Sequence, residues 1–378
     1  KAEELYSLES RTFLESTGIY HFPLFCYLVD CGFNASIINP IITHSTKNGN
    51  IRKVKNDKID SKGIAKLGLS KDIPVSQFPA KLVLELRSLT RKYYDLTDER
   101  SAHINKLKGD LHTVFPQYLD VFCDVTGKTS TMILRQYGTP DKILRGHKKT
   151  MIEKISKASR KGLAKASERY EKLCAAANAA KTFGCQIDSI YFNIFLTLDL
   201  VEKLDSALDS ILNRIRQLIT FNKNEKFIQQ IKLLNTIPGV GFLTAVTIMC
   251  EIGDFSAFRN PKQLFAYFGL DPEVNESGKF VGTQLHMSKR GSRIARRAIF
   301  AVALASIRTK RNGEGINPYL RKYYELKSGQ KPKMVAIGAV MHKVCNIVFA
   351  VLRDEKAFEL RSPEEHCKQY QRPALAAA

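Results

Sequence analysis

Three carboxylates, one serine and a dense run of cations carry the residue types that chemistry at a phosphodiester needs. Asp57 and Asp60 lie in KNDKIDSKGIAK. At i and i+3 of a helix their carboxylates share one face. Two clustered carboxylates repel unless a cation sits between them, so the pair suits a divalent metal with phosphate oxygens as co-ligands. DxxD at a helix start is equally good capping and dipole chemistry. Glu15 ends the apolar segment TFLES, and sites gather at strand C-termini in open α/β sheets. The plain alternative for Glu15 is an edge carboxylate facing water.

The serine is Ser277, in AYFGLDPEVNESGKF. Serine before glycine in a polar loop is ordinary turn chemistry. To act on a phosphodiester it needs an approachable hydroxyl, positive charge on the phosphate and help in losing its proton. Lys279, Lys289, Arg290, Arg293, Arg296 and Arg297 supply charge nearby in sequence, the last three at helical spacing. His286 is a candidate base, although a lone histidine is more often structural. Ser288 and Ser292 compete for the nucleophile's role and read more as phosphate-contacting or capping serines. Upstream, IPGVGFLTAVTIMCEIGDF sets Gly239 and Gly241 between two apolar helical runs. That pattern suits the hairpin of a helix-hairpin-helix unit, where glycines let backbone approach a phosphate and the next helix's N–H groups face it. A plain interhelical turn gives the same pattern.

Positioning these groups takes more than one core. The chain has 378 residues, 44% of them hydrophobic, which favours two or three domains over broad disorder. Fifty-nine Lys and Arg against 37 Asp and Glu give a charge of +22, and such a surplus favours a polyanionic partner. The eight cysteines contain no CxxC pair and read as buried free thiols of a reducing cytosol rather than a disulfide frame or a zinc site. No apolar run approaches 18 residues and no leader is visible in the sequence, which gives no reason to expect a membrane span. The chain begins at Lys1 without methionine, so its natural N-terminus is expected to be missing, and the closing ALAAA reads as a cloning scar.

Across the first ~70 residues, TFLES and ASIIN read as buried strands ended by turn signals at Gly18 and Pro40, with a helix between them stopping at Gly32 and another starting near Asp57. Strand, helix, strand, helix implies an α/β layer with a largely parallel sheet. From about Pro79 to Leu234 the apolar residues recur at three- and four-residue steps, predicting long amphipathic helices and an antiparallel coiled coil, interrupted near Gly127 and Gly138–Pro140. Within that region Lys148–Lys172 is markedly basic, which is either a solvated face or a surface that tracks phosphates. From Ile231 to about Leu360 the chain reads as compact, mostly helical and rich in Gly, Arg and Lys, with a polar tail after it. The expected division is therefore 1–78, 79–230, 231–360 and a tail at 361–378.

Taken together, FLESTGIYH, IINP, KNDKIDSKGIA, the long stretch from IPGVG to ESGKF, SKRGSRIARRAI and KPKMVAIGAVMHKV resemble the transposases of the insertion-sequence one-ten family. The resemblance implies an N-terminal RuvC-like, RNase H-like α/β domain with a DEDD carboxylate set, then a mostly helical C-terminal transposase domain with a serine nucleophile. Glu15 matches the family's second acidic residue, Asp57 and Asp60 its last two, and Ser277 its nucleophile. The family's first aspartate, on an initial strand, has no counterpart before Glu15. What the resemblance further implies is Mg²⁺ at the carboxylates and a covalent phosphoserine intermediate. It also implies donor and target DNA as substrates, a noncoding bridge RNA as guide, a tetramer built as a dimer of dimers, and the bacterial cytoplasm or nucleoid as location. Two other readings stay open on the residues alone. One is a metal-dependent resolvase-like nuclease in which water attacks. The other is a nucleic-acid-binding protein without catalysis.

Overall fold

The computed structural model describes residues 11–16, 20–38, 57–70, 80–183, 185–273, 276–277, 280–281, 286–362 and 364–365. The chain divides into two compact units, Lys1–Lys81 and Leu82–Ala378. Gly18, Pro40 and Lys279 lie outside the described residues.

In the first unit, strand β1 (Arg11–Glu15) is followed by helix α1 (His21–Asp30), strand β2 (Asn34–Ile38) and helix α2 (Asp57–Ser70). β1 and β2 pair in parallel, with Arg11 opposite Asn34 and Glu15 opposite Ile38. The order of strand, helix and parallel strand is the one expected from sequence. Ala35, Ser36 and Ile38 are buried, so both faces of β2 are covered, as in a parallel layer. Helix α1 stops where expected: Gly32 takes φ +83°, and its N–H donates to Val29 O at 2.9 Å. Only a residue without Cβ adopts that left-handed turn at little cost. Helix α2 lies against β1, and a Cβ at Gly68 would come within 2.3 Å of the Phe13 ring. Gly68 is therefore the point of close helix–strand approach.

The second unit is helical. Its long helices are α3 (Lys81–Val114) and, after five shorter ones, α9 (Asp188–Phe221). Tyr191 Oη donates to Val114 O at 3.3 Å, and the Arg100 guanidinium is ion-paired with Asp205. Partners that descend on one helix as they ascend on the other make α3 and α9 antiparallel, as the heptad-like spacing predicts. Between them stand α4 (Tyr118–Val121), α5 (Lys128–Gln136), α6 (Pro140–Arg145), α7 (Lys148–Ser159) and α8 (Leu163–Phe183). The predicted interruptions are helix caps. Gly127 precedes α5, and Thr139 Oγ1 accepts from Lys142 N at the start of α6, with Pro140 in its first turn. These helices close a core of their own around Leu107, Leu111, Tyr118, Ile133, Met151 and Leu173, shared with the facing ends of α3 and α9.

At the other end of the helix pair, Leu86, Ile215 and Leu218 belong to a second core. It is completed by α10 (Lys226–Leu234), α11 (Phe242–Ile252), α12 (Pro261–Tyr267), α13 (Arg293–Ile307), α14 (Pro318–Ser328) and α15 (Lys333–Asp354). A small hairpin of β3 (Glu276–Ser277) and β4 (Phe280–Val281) lies between α12 and α13 in the chain. Helix α15 has the length and mean hydropathy, 2.0, of a membrane span. Its apolar residues instead face α12, α13 and α14, with Val340, Val344, Cys345 and Val348 fully buried. Of the seven described cysteines, Cys250 and Cys345 are buried, while Cys31, Cys123 and Cys185 are exposed; none of the seven is in a disulfide.

Leu111 is fully buried in the core between α3 and the short helices. Leu111→Ala should lower unfolding stability by about 2–5 kcal/mol, read from the denaturant midpoint.

Candidate functional site

The carboxylates come first. Glu15 is the last residue of β1, at the carboxyl end of a parallel strand. Asp57 and Asp60 both fall in the first turn of α2, the helix that packs on β1. The structure thus joins Asp57 and Asp60 on one turn and sets Glu15 on the strand beneath their helix. It does not draw the three into one site: among the described residues no three His, Cys, Asp or Glu side chains form a group that could hold a metal ion. Donor type suits a hard divalent cation; convergence is not there.

The serine belongs to a hairpin whose base is tightly specified. Ser277 pairs with Phe280, and Glu276 with Val281, so Ser277 is the last paired residue before the connection. Below it, Pro272 and Met287 form an antiparallel bridge. Glu273 N–H donates to His286 O at 2.7 Å, Ser288 N–H to Asp271 O at 2.8 Å and Lys289 N–H to Gly269 O at 3.1 Å. The two arms meet backbone to backbone at Gly269 and Gly291. A Cβ on Gly291 would fall 2.0 Å from Tyr267 O, and one on Gly269 2.4 Å from Gly291 N. Neither position tolerates a side chain. The Ser288 hydroxyl donates to Asp271 Oδ1 at 2.6 Å, which ties the arms a second time.

Beneath the base lies a group that sequence reasoning missed. Glu251, at the end of α11, is 3% exposed. Arg91 of α3 donates to it through Nε at 2.8 Å and Nη2 at 3.0 Å. Ser292 Oγ donates to Glu251 Oε2 at 2.7 Å and accepts from Ala295 N at 3.1 Å, capping α13. Around the carboxylate, Arg87 Nε donates to Cys250 O at 2.7 Å and Tyr267 Oη to Glu251 O at 3.1 Å. Burial is the largest influence on Glu251 and pushes its pKa up. The hydrogen bonds from Arg91 and Ser292 with the nearby guanidinium charges outweigh it and hold the carboxyl below its ordinary range. Burial likewise raises the neighbouring Cys250 thiol to about 12, so it stays protonated. The signal for Glu251 was present in sequence: one acid inside TAVTIMCEI must be paired if that helix is buried.

The expected phosphate-binding cations have mixed fates. Lys289 and Arg290 are exposed at the hairpin's base. Arg296 is an internal brace, its Nη1 donating to Gly291 O at 2.7 Å and Phe268 O at 3.2 Å, and burial lowers its pKa. Arg293 and Arg297 both pair with Asp98 of α3, at 3.2 and 2.8 Å, and Arg297 also stacks over the Tyr94 ring. Helical spacing alone could not reveal these internal partners. Gly239 uses its φ of +95° to admit Ser306, whose Oγ would lie 2.5 Å from a Cβ there and donates to Pro238 O at 3.1 Å. Its freedom serves helix packing inside the protein. Gly241 precedes α11 with open space around it. His286 is exposed at the hairpin base.

The chain is strongly basic and combines a carboxylate-bearing α/β unit with a helical unit that carries the serine hairpin. Residues 231–325 match the family described as Transposase IS116/IS110/IS902 family. Residues 3–116 match a transposase family of DEDD type from IS110 elements. The chain belongs to the IS110/IS116/IS902 transposase family. An insertion element IS110 protein of 43.6 kDa from Streptomyces coelicolor is 23% identical over 286 residues, 75% of this chain and 66% of the relative. The pilin gene-inverting protein of Moraxella bovis is 30% identical over 177 residues, 47% of this chain and 52% of that protein. The transposase for insertion sequence element IS1111A of Coxiella burnetii is 26% identical over 188 residues, 48% and 50% of the two chains. The chain spans between half and two thirds of the length of these three relatives.

The depressed Glu251 pKa means that the stability it confers is complete above about pH 5 and is lost as the pH falls through the folded-state value. Glu251→Gln should flatten that acid-side decline, read from unfolding free energy between pH 7 and pH 3. Arg91→Ala, which strands a buried carboxylate, should cost about 2–4 kcal/mol at neutral pH.

Proposed function

We propose that this chain is the recombinase of an insertion sequence and that it cuts and rejoins DNA through a covalent bond to Ser277. The observation that carries the reading is the placement of Ser277 as the last paired residue of a hairpin whose base is locked by Gly269, Gly291 and the Glu251 cluster. The rival serines are otherwise committed. Ser288 donates to Asp271, and Ser292 bonds Glu251 while capping α13. In the reaction the Ser277 hydroxyl gives up its proton, its oxygen forms a bond to the scissile phosphorus, and one DNA end leaves as an alcohol. Rejoining reverses the exchange with a different DNA end.

Glu15, Asp57 and Asp60 are the candidate ligands for Mg²⁺, which when bound would offset negative charge on the phosphate. Their support is the carboxylate donor type, the shared turn of Asp57 and Asp60, and the family. The finer reading assigns a RuvC-like fold to 1–78, a coiled-coil middle to 79–230 and the serine transposase domain to 231–360, with a helix-hairpin-helix-like element at Gly239 and Gly241. Donor and target DNA, a bridge RNA that pairs with both, a dimer-of-dimers tetramer and a bacterial cytoplasmic or nucleoid location complete it. Family membership and the charge of +22 support this part. Lys289 and Arg290, exposed beside the hairpin base, are the available phosphate contacts there.

Incubation with a nicked cognate DNA, guide RNA and Mg²⁺, followed by denaturing electrophoresis, should give a protein–DNA adduct. Ser277→Ala should abolish it, and Asp57→Asn with Asp60→Asn should reduce it at least about 100-fold. Adduct at normal yield from Ser277→Ala would remove the nucleophile assignment, while strand cleavage with no adduct would favour attack by water.

A further inference from the structure

Residues 117–230 lie outside both family matches, yet the helices within that range close a complete core with the ends of α3 and α9. Their most basic part, Lys148–Lys172, has nine Lys and Arg against three Glu. Folding sorts these cations. Lys148 pairs with Glu171 at 2.7 Å and Lys172 with Glu168 at 2.7 Å, while Arg169 lies over the Phe122 ring. Lys157, Arg160, Lys161 and Lys165 are exposed and make no close ion pair among the described residues, although Lys165 is near enough to help lower the Glu168 pKa. All four cluster about the turn joining α7 to α8.

Behind that turn is a cleft of about 170 Å³, lined by Lys161, Lys165, Arg169 and Lys172 together with Asp120 and Glu168. With Glu168 paired to Lys172, the charges left on the lining are Lys161, Lys165 and Arg169 against Asp120, so the cleft is net positive. The 21-residue α8 begins at its edge with no acidic residue in the first turn, so the N-terminal amides add positive potential. Arg160 closes α7 at φ +54°, a left-handed position where Gly or Asn costs less. A cation therefore occupies the tip of the turn at some conformational cost. Gly162, at φ +80°, has nothing within 4 Å of where a Cβ would stand, so the backbone there is open to approach.

We propose that the α7–α8 turn and its cleft form a contact site for the phosphate backbone of duplex DNA. It adds a second footprint to the chain, remote in sequence from the Ser277 hairpin and independent of the nucleophile assignment. Exposed lysines on one turn neutralise phosphates without reading bases. The described residues lining the cleft include no aromatic ring, and stacking rings are what single-strand sites use to hold unpaired bases. A duplex backbone is the better match.

The test is fluorescence anisotropy of the full chain with a random-sequence 40-base-pair duplex across a salt series, in the Ser277→Ala background so that no covalent capture intervenes. Replacing Lys161 and Lys165 together by alanine should weaken binding roughly tenfold and make the log Kobs against log salt slope shallower by about 1–2. The Lys161→Arg, Lys165→Arg chain should bind as before. Both positions are exposed, and an unchanged thermal midpoint checks that folding is intact. Unaltered duplex affinity and slope in the alanine chain would overturn the proposal. So would a loss confined to single-stranded RNA with duplex binding intact.

Discussion

One buried carboxylate organises the unit that carries the serine. Glu251 receives a two-pronged guanidinium from α3, a hydroxyl from the residue that caps α13, and sits at the end of α11. Three helices distant in sequence therefore meet on one charge. Such a group is costly to bury alone and stable only with its bonds complete. Removing any one partner loosens a junction. The hairpin base hangs directly from it: Ser292 follows Gly291, and Tyr267, which bonds the Glu251 carbonyl, precedes the Gly269 turn. The serine hairpin is thus carried by a base fixed through backbone pairing and the Glu251 junction.

Elsewhere around this base, charge is spent on structure. Arg296 braces two carbonyls, while Arg293 and Arg297 hold α13 to Asp98 of α3. The arginine run of SKRGSRIARRA consequently does two jobs. Its first members, Lys289 and Arg290, are exposed, and the later ones tie α13 in place, Arg293 from an exposed position and Arg296 and Arg297 from half-buried ones. A chain with a charge of +22 still needs its acids, and Asp98 and Glu251 are placed where they join helices.

Much of this was legible beforehand, for physical reasons. The parallel β1–α1–β2 arrangement followed from short apolar runs punctuated by Gly32, because a residue in the left-handed region must end a helix. The antiparallel α3–α9 pair followed from helical periodicity sustained over 34 residues in each. What stayed hidden was partnership. Spacing shows that Arg293, Arg296 and Arg297 share a helix face, not that Arg293 and Arg297 pair with Asp98 or that Arg296 bonds the Gly291 carbonyl. The PGVG stretch announces backbone freedom at Gly239 but not that Ser306 uses it. Glu251 was readable as an oddity in an apolar helix, whereas Arg91, 160 residues away, was not. The i, i+3 spacing put Asp57 and Asp60 on one helical turn and the apolar run put Glu15 at a strand end, but neither signal establishes convergence of the three.

A fixed base has a purpose only if the chemistry occurs on the hairpin it holds. The measurement that bears most directly on this is peptide mapping of the trapped protein–DNA adduct. After nuclease trimming and proteolysis, mass spectrometry locates the residue that keeps the nucleotide. The account requires the nucleotide on the peptide containing Ser277 and on that side chain. A nucleotide on Ser288 or Ser292 would contradict it, since those hydroxyls would then have to leave Asp271 and Glu251 and unlock the base that defines the site.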